Sequence, residues 1–250
     1  MKHTAELNEV QAAKIRMLAE RRRQDLGYLG NPIAAEIFEI LDRLNITLLQ
    51  FPVESGSELP AFSAAMLYSK IDGEVLLFIG LNAADYFDKQ VFAIAHELYH
   101  FFTKTGSHLS RADEESTQIE AEANRFAAEF LLPEPVLKDI VISEFDAAAL
   151  RQVPLQRLMR FVARLHCSWW LLYRSLVKRL KEIDAISSTQ YEGLYSIDER
   201  DPNGYYMRMG MAINEPVFSK LNSISRAIDA SPRAIEAIIR NYAALSTVLS

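Results

Sequence analysis

The sequence predicts an α+β fold, with three strands gathered between Ile46 and Leu81 and helices before and after them. Three observations carry this. Ile46-Thr-Leu-Leu-Gln-Phe51 and the segment from Glu74 to Leu81 are short apolar runs rich in strand-forming residues. Val91, Phe92, Ile94, Ala95, Leu98, Phe101 and Phe102 surround a helical run almost completely, which marks a central helix. Beyond Arg151, apolar residues recur at helical spacing.

Taken in order, Glu6 to Arg23 reads as a helix with a basic end, Arg21-Arg-Arg23, broken by Gly27 and Gly30. Asn31-Pro32 supplies an N-cap and a proline at the first helical position, so a second helix is expected from there to about Leu44. The strand at Ile46 follows. Ala61 to Ser69 is read as another strand, Ile71-Asp-Gly73 as a turn, and Glu74 to Leu81 as its hairpin partner. After the apolar helix, Asp113 to Leu132 reads as a helix stopped by Pro133 and Pro135. Pro154 to Leu165 is a helix, and Ser168 is the expected N-cap of the next, with Leu172, Tyr173, Leu176 and Leu180 inward. Asp201-Pro-Asn-Gly204 is a turn signal, followed by an expected strand from Tyr205 to Met211. Ser231-Pro232 opens a last helix, to about Leu249.

The apolar helix contains His96-Glu-Leu-Tyr-His100. Two histidines four apart share one helix face, about one turn from each other, and so can grip one divalent ion. Glu97 stands where it can take a proton from a water on that ion. Two histidines and a glutamate in so apolar a helix are costly without a shared partner. A third ligand is sought on the next helix, where Glu120 and Glu122 compete. Glu115, Gln118, Glu122, Arg125 and Glu129 form one continuous polar stripe, read as a solvated face with Glu–Arg pairs. Glu120 lies off that stripe, beside Ala123, Asn124 and Ala127, small neighbours that admit a close helix approach. The expected ligand set is His96, His100 and Glu120, with a fourth position for water, as in a catalytic site. Asn124 is placed to accept from a ligand histidine and fix its orientation. His108, Tyr68 and Tyr86 are candidate donors to a developing oxyanion, with nothing to single one out.

These residues, with Glu120-x-x-Ala-Asn-x-Phe-Ala-Ala-x-x-Leu-Leu-Pro133, resemble the ImmA/IrrE family of bacterial and phage metallopeptidases. The resemblance covers Ile46 to Pro133 well and continues more faintly to about Ser188. It implies a compact zincin-like domain: a small antiparallel sheet, an active-site helix and a Glu-bearing second helix. It also implies one divalent metal, by default zinc, with manganese as the alternative. Members of that family cut helix-turn-helix transcriptional repressors in stress, phage or mobile-element control. By the same resemblance a strand beside the metal helix holds the substrate backbone. Tyr99 is a departure, since many members carry a small residue there.

The chain has 250 residues, half of them apolar and a quarter charged, which is ordinary for a soluble globule. Cys167 is its one cysteine, which excludes a disulfide framework and a cysteine-based metal site. No signal peptide and no membrane-length apolar run is seen, so a cytoplasmic protein is expected. Between Arg151 and Lys181 lie eight basic residues and no acidic ones, in a chain of net charge −6. That run suggests contact with DNA or an acidic partner, or a solvated face over a packed helix pair. Trp169 and Trp170 are read as core. The expected layout is a metallopeptidase domain over 1–135, a basic helical, helix-turn-helix-like region over 136–188, and a C-terminal region of open role over 189–250. The function expected is a metal-dependent endopeptidase acting on a repressor or antitoxin-type regulator. The alternatives are a broader peptidase and a non-hydrolytic, metal-binding regulator.

Overall fold

The structure is a computed structural model that describes residues 7–53, 63–71, 74–105, 114–145, 150–225 and 228. The expected turn residues Asp72 and Gly73, His108 and the expected helix from Ser231 lie outside the described residues. Helix α1 (Glu9–Asp25) opens on a capping box, in which the Asn8 side chain and the Gln11 side chain each bond the other's backbone N–H. Arg23, at the expected basic end, turns inward instead. It is 1% exposed and donates to the carbonyls of Leu29, Phe130 and Asn31. The next helix starts later than the Asn31-Pro32 signal suggests: a 3-10 turn over Ala34–Glu36 leads into α2 (Ile37–Arg43).

Three strands follow, β1 (Ile46–Phe51), β2 (Ala64–Ile71) and β3 (Glu74–Asn82), in the order β1-β3-β2. β2 and β3 pair antiparallel, as the hairpin reading expects, but β1 pairs parallel to β3. The sheet is therefore mixed and not antiparallel throughout. β3 carries the longest apolar run, so it takes the centre, flanked on both sides. β2 is left on an edge among the described residues.

Helix α3 (Phe87–Thr103) packs under β2 and β3, and α4 (Glu114–Leu131) packs across α3. Ala123 and Ala127 are fully buried between neighbours. Phe126 and Phe130 stack at 5.4 Å behind them. Each fully buried phenylalanine contributes about 1.5–3 kcal/mol. Pro133 ends α4 and caps α5 (Glu134–Glu144), which carries a proline in its first turn.

The described part of the C-terminal half is helical: α6 (Leu155–Trp169), α7 (Tyr173–Glu182), α8 (Ser188–Tyr195) and α9 (Tyr205–Leu221). Two expectations are corrected here. Ser168 does not cap a new helix. It lies inside α6, which continues until Trp170 adopts the left-handed conformation at φ 54°. The segment Tyr205–Met211 is helix and not strand. Its buried residues Tyr206, Met209 and Gly210 recur at helical spacing and pack α9 against α6. Pro216 lacks an N–H and clashes with the preceding turn, so α9 kinks at Asn214 (φ −157°, ψ 84°). The chain then folds back and lays the Phe218 ring on Gly210, where a Cβ would come within 2.2 Å of it. Phe218 is fully buried and has nowhere to turn. Gly210→Ala is expected to cost about 1–3 kcal/mol, read as a lower unfolding midpoint in denaturant.

One buried cluster runs from Ile15 to Leu221 and takes residues from all three sequence segments. In the basic run, Arg179 pairs with Glu129, Arg151 with Asp184, Arg164 with Glu144 and Arg174 with Glu199. Half of that charge is thus neutralised within the fold. Trp169 and Trp170 are buried. No helix among the described residues is long and apolar enough to cross a membrane.

A second polar cluster ties the C-terminal half to the start of α3. Asp88 is fully buried, bonds the His166 ring at 3.1 Å and takes two 2.7 Å bonds from Arg200. The other His166 ring nitrogen lies 3.0 Å from the Tyr206 hydroxyl. Burial alone raises the pKa of the Asp88 carboxyl, but His166 and Arg200 outweigh it and hold the carboxyl below its ordinary value of 3.8. A lowered folded-state pKa means stability that is present above 3.8 and is lost as pH falls through the folded value. Asp88→Asn is expected to flatten the acid limb of the stability–pH curve below pH about 4, measured by denaturant titration at several pH values.

Candidate metal centre

Helix α3 brings His96, Glu97 and His100 to the face it shares with α4 and β2, and α4 adds Glu120. Donor atoms of His96, His100 and Glu120 all lie within 4.8 Å of one another. His96 Nε2 is 3.2 Å from Glu120 Oε2, His100 Nε2 is 3.7 Å from Glu120 Oε1, and the two Nε2 atoms are 3.4 Å apart. His100 is buried, while the Glu120 side chain is 55% exposed, so the cluster opens to solvent on the α4 side.

Second partners aim each ring. His96 Nδ1 lies 3.1 Å from Asn124 Oδ1, one turn beyond Glu120 on α4. His100 Nδ1 lies 3.2 Å from Thr105 Oγ1. With both Nδ1–H groups donating outward, both Nε2 lone pairs face the common point. Electrostatics bind the group together. Burial pulls the His96 pKa down, but the bonds and charges of Glu120 and Glu97 outweigh that and hold it above the ordinary value. Burial pushes Glu120 up, and the two histidines overcome this and hold it low. Three convergent donors of the right kinds, each histidine braced at its far nitrogen and one side left open, fit a divalent ion.

Glu97 sits beside this cluster and is 7% exposed. Burial pushes its pKa up to about 7, against the opposing pull of His96. Its Oε2 accepts a 2.7 Å bond from the backbone N–H of Met66 on β2. That N–H points away from β3, so the carboxylate is anchored on the edge of β2 opposite β3.

Of the three oxyanion candidates, none is brought to the cluster by the described atoms. Tyr86 caps the start of α3 beneath the Arg200 guanidinium, 4.2 Å from its ring centroid. Ten residues of helix separate it from His96, about 15 Å. The Tyr68 backbone lies in β2, two residues past Met66, and its side chain is outside the described residues. His108 is outside them too.

Three contacts were not foreseen from the sequence: the Met66 amide on Glu97, the Thr105 hydroxyl on His100, and Tyr99. The Tyr99 hydroxyl donates to Glu122 Oε2 at 2.5 Å, and its ring packs between His100 and Phe126. Glu122 is thus a brace between α3 and α4 as well as a half-buried member of the stripe, where Gln118 donates to its other oxygen at 3.0 Å. A large polar residue between two ligand-bearing positions was the one signal available for it. Glu120→Ala is expected to lower zinc affinity at least tenfold, whereas Glu122→Ala retains a full equivalent of metal, measured by competition with a chelating dye.

A carboxylate-and-imidazole site on two packed helices beside a small sheet defines the class, a metallopeptidase-like protein. Residues 43–159 match the family model described as the IrrE N-terminal-like domain (Peptidase_M78). Neither the curated proteins nor the solved structures give a match.

Proposed function

We propose that the chain is a zinc-type metalloendopeptidase that cuts a regulatory protein, by family resemblance a helix-turn-helix repressor or antitoxin-type regulator. One observation carries the hydrolytic part. Three metal-type donors converge on a solvent-open point, with a buried fourth group, the Glu97 carboxylate, bonded to the edge of a strand. A protein that only stored or sensed metal would have no use for that fourth group.

His96, His100 and Glu120 would hold a divalent ion, which would supply Lewis acidity at the point where they converge. The chain's own residues do the rest. Glu97 accepts the proton of the attacking water and returns it to the leaving amine. The Met66 amide holds Oε2, which leaves the other oxygen for proton transfer. Along β2 the backbone groups of alternate residues face the same side, so Ala64 and Tyr68 share the edge opposite β3 with Met66. An extended substrate segment adds there as a further strand.

The test uses the full chain loaded with zinc, and in parallel with manganese. It is incubated with a panel of helix-turn-helix regulators as candidate partners, and fragments are read by mass spectrometry. A discrete cut made by wild type but not by Glu97→Gln supports the proposal. An intact partner in every arm rejects this substrate. General proteolysis of unrelated unfolded chains points to the broader peptidase.

A further inference from the structure

We propose that Thr105 and Thr103 form a hydroxyl relay that positions His100 as a metal ligand, which makes them positioning residues for the site. The inference rests on the metal-site reading above. His100 Nδ1 is 3.2 Å from Thr105 Oγ1, and Thr105 Oγ1 is 2.6 Å from Thr103 Oγ1. Thr103 Oγ1 donates to the Tyr99 carbonyl at 2.7 Å.

The direction of the chain of bonds follows from its far end. A carbonyl only accepts, so the Thr103 proton is committed to Tyr99 O. Thr103 Oγ1 is then the acceptor for the Thr105 hydroxyl. The Thr105 oxygen, having given its proton away, is left to accept, and the His100 Nδ1–H donates to it. Each bond forces the next, and the last one fixes the tautomer in which Nε2 carries the lone pair. Nε2 is the nitrogen that faces Glu120 and His96.

The backbone is bent to make this possible. Lys104, which is not a glycine, adopts the left-handed conformation at φ 57° and ends α3. The Thr105 N–H then bonds the His100 carbonyl at 3.2 Å, and the turn carries the Thr105 side chain back alongside the ring. The helix cap uses the Thr105 backbone, and the relay uses its side chain. The two roles are separable by substitution.

His96 is served differently, by the single oxygen of Asn124 on a neighbouring helix. The two ligand histidines are thus braced from opposite sides. One brace is tertiary. The other is local to the end of α3 and independent of how α4 packs.

Zinc affinity of the full chain is measured by competition with a chelating dye, and the His100 tautomer by side-chain ¹⁵N shifts of the zinc-loaded protein. Thr105→Val keeps the shape and the backbone cap but removes the hydroxyl. It is expected to weaken zinc binding about 10–100-fold. Thr105→Ser restores the hydroxyl and is expected to bind like wild type. Thr103→Val removes the acceptor of the Thr105 proton and is expected to weaken binding by a smaller factor. Unfolding midpoints of the metal-free variants should match wild type, which separates positioning from folding. Wild-type affinity and an unchanged tautomer in both valine variants overturn the relay alone. A wild type that binds no zinc overturns the metal-site reading and the relay with it.

Discussion

Glu97→Gln is expected to lower the rate of substrate cleavage by about 10²–10⁴-fold while leaving zinc content and fold unchanged. The amide is nearly the same shape as the carboxylate. Its oxygen can still accept from the Met66 N–H, so the tie between α3 and β2 survives. What is lost is the ability to take a proton from water. Because Glu97 is 7% exposed, removing its charge also relieves a buried carboxylate, so the variant is expected to unfold no earlier than wild type. The measurement pairs a cleavage assay with zinc analysis and a thermal melt. A rate within tenfold of wild type, in a variant that still holds one equivalent of zinc, removes Glu97 from the role of base.

Loss of Glu129 should produce the largest change in stability. Its carboxylate is 1% exposed and lies against Arg179, which is 2% exposed. Arg179 grips it through both terminal nitrogens and also donates to the Leu132 carbonyl at 3.1 Å. Arg125 approaches the same carboxylate at 2.8 Å, and the Glu134 N–H donates to it at 2.9 Å. Glu129→Ala strands a buried guanidinium and a buried amide together, and the expected cost is about 3–5 kcal/mol. Arg179→Met, which strands the carboxylate instead, is expected to cost a comparable amount. The two substitutions are expected to be far from additive, because either one already breaks the pair. Denaturant unfolding of the two single variants and the double variant measures this. A loss below about 1 kcal/mol for Glu129→Ala would place it with ordinary exposed pairs.

That pair also marks where sequence reading stops. The spacing of Glu115, Gln118, Glu122, Arg125 and Glu129 along one helix face is real, and a polar stripe ordinarily faces water. Here α1 and α7 bring Arg16 and Arg179 to its far end and bury it. Spacing reports which residues share a face. It does not report that a segment fifty residues away supplies an opposite charge to cover that face. His166 makes the same point. Its sequence neighbourhood carries no metal spacing, yet it is the buried partner of Asp88, seventy-eight residues earlier. Tyr205–Met211 misleads for a different reason. Its paired tyrosines after a turn signal suit a strand, while its methionines favour helix, and packing on α6 goes with the helix.

The sequence by itself determined that His96 and His100 share a helix face with Glu97 between them. It also determined that Glu120 leaves the polar stripe where small residues admit a close neighbour. Those are local properties, set by 3.6 residues per turn and by side-chain size. Tertiary structure alone decided that the three donors meet within 4.8 Å, that β1 runs parallel to β3, and that the edge of β2 holds Glu97. It also decided that Thr105 turns back onto His100. Each of these depends on how distant segments cross. Crossing is chosen by the burial of whole faces and the satisfaction of buried polar groups, which no single stretch of chain specifies alone.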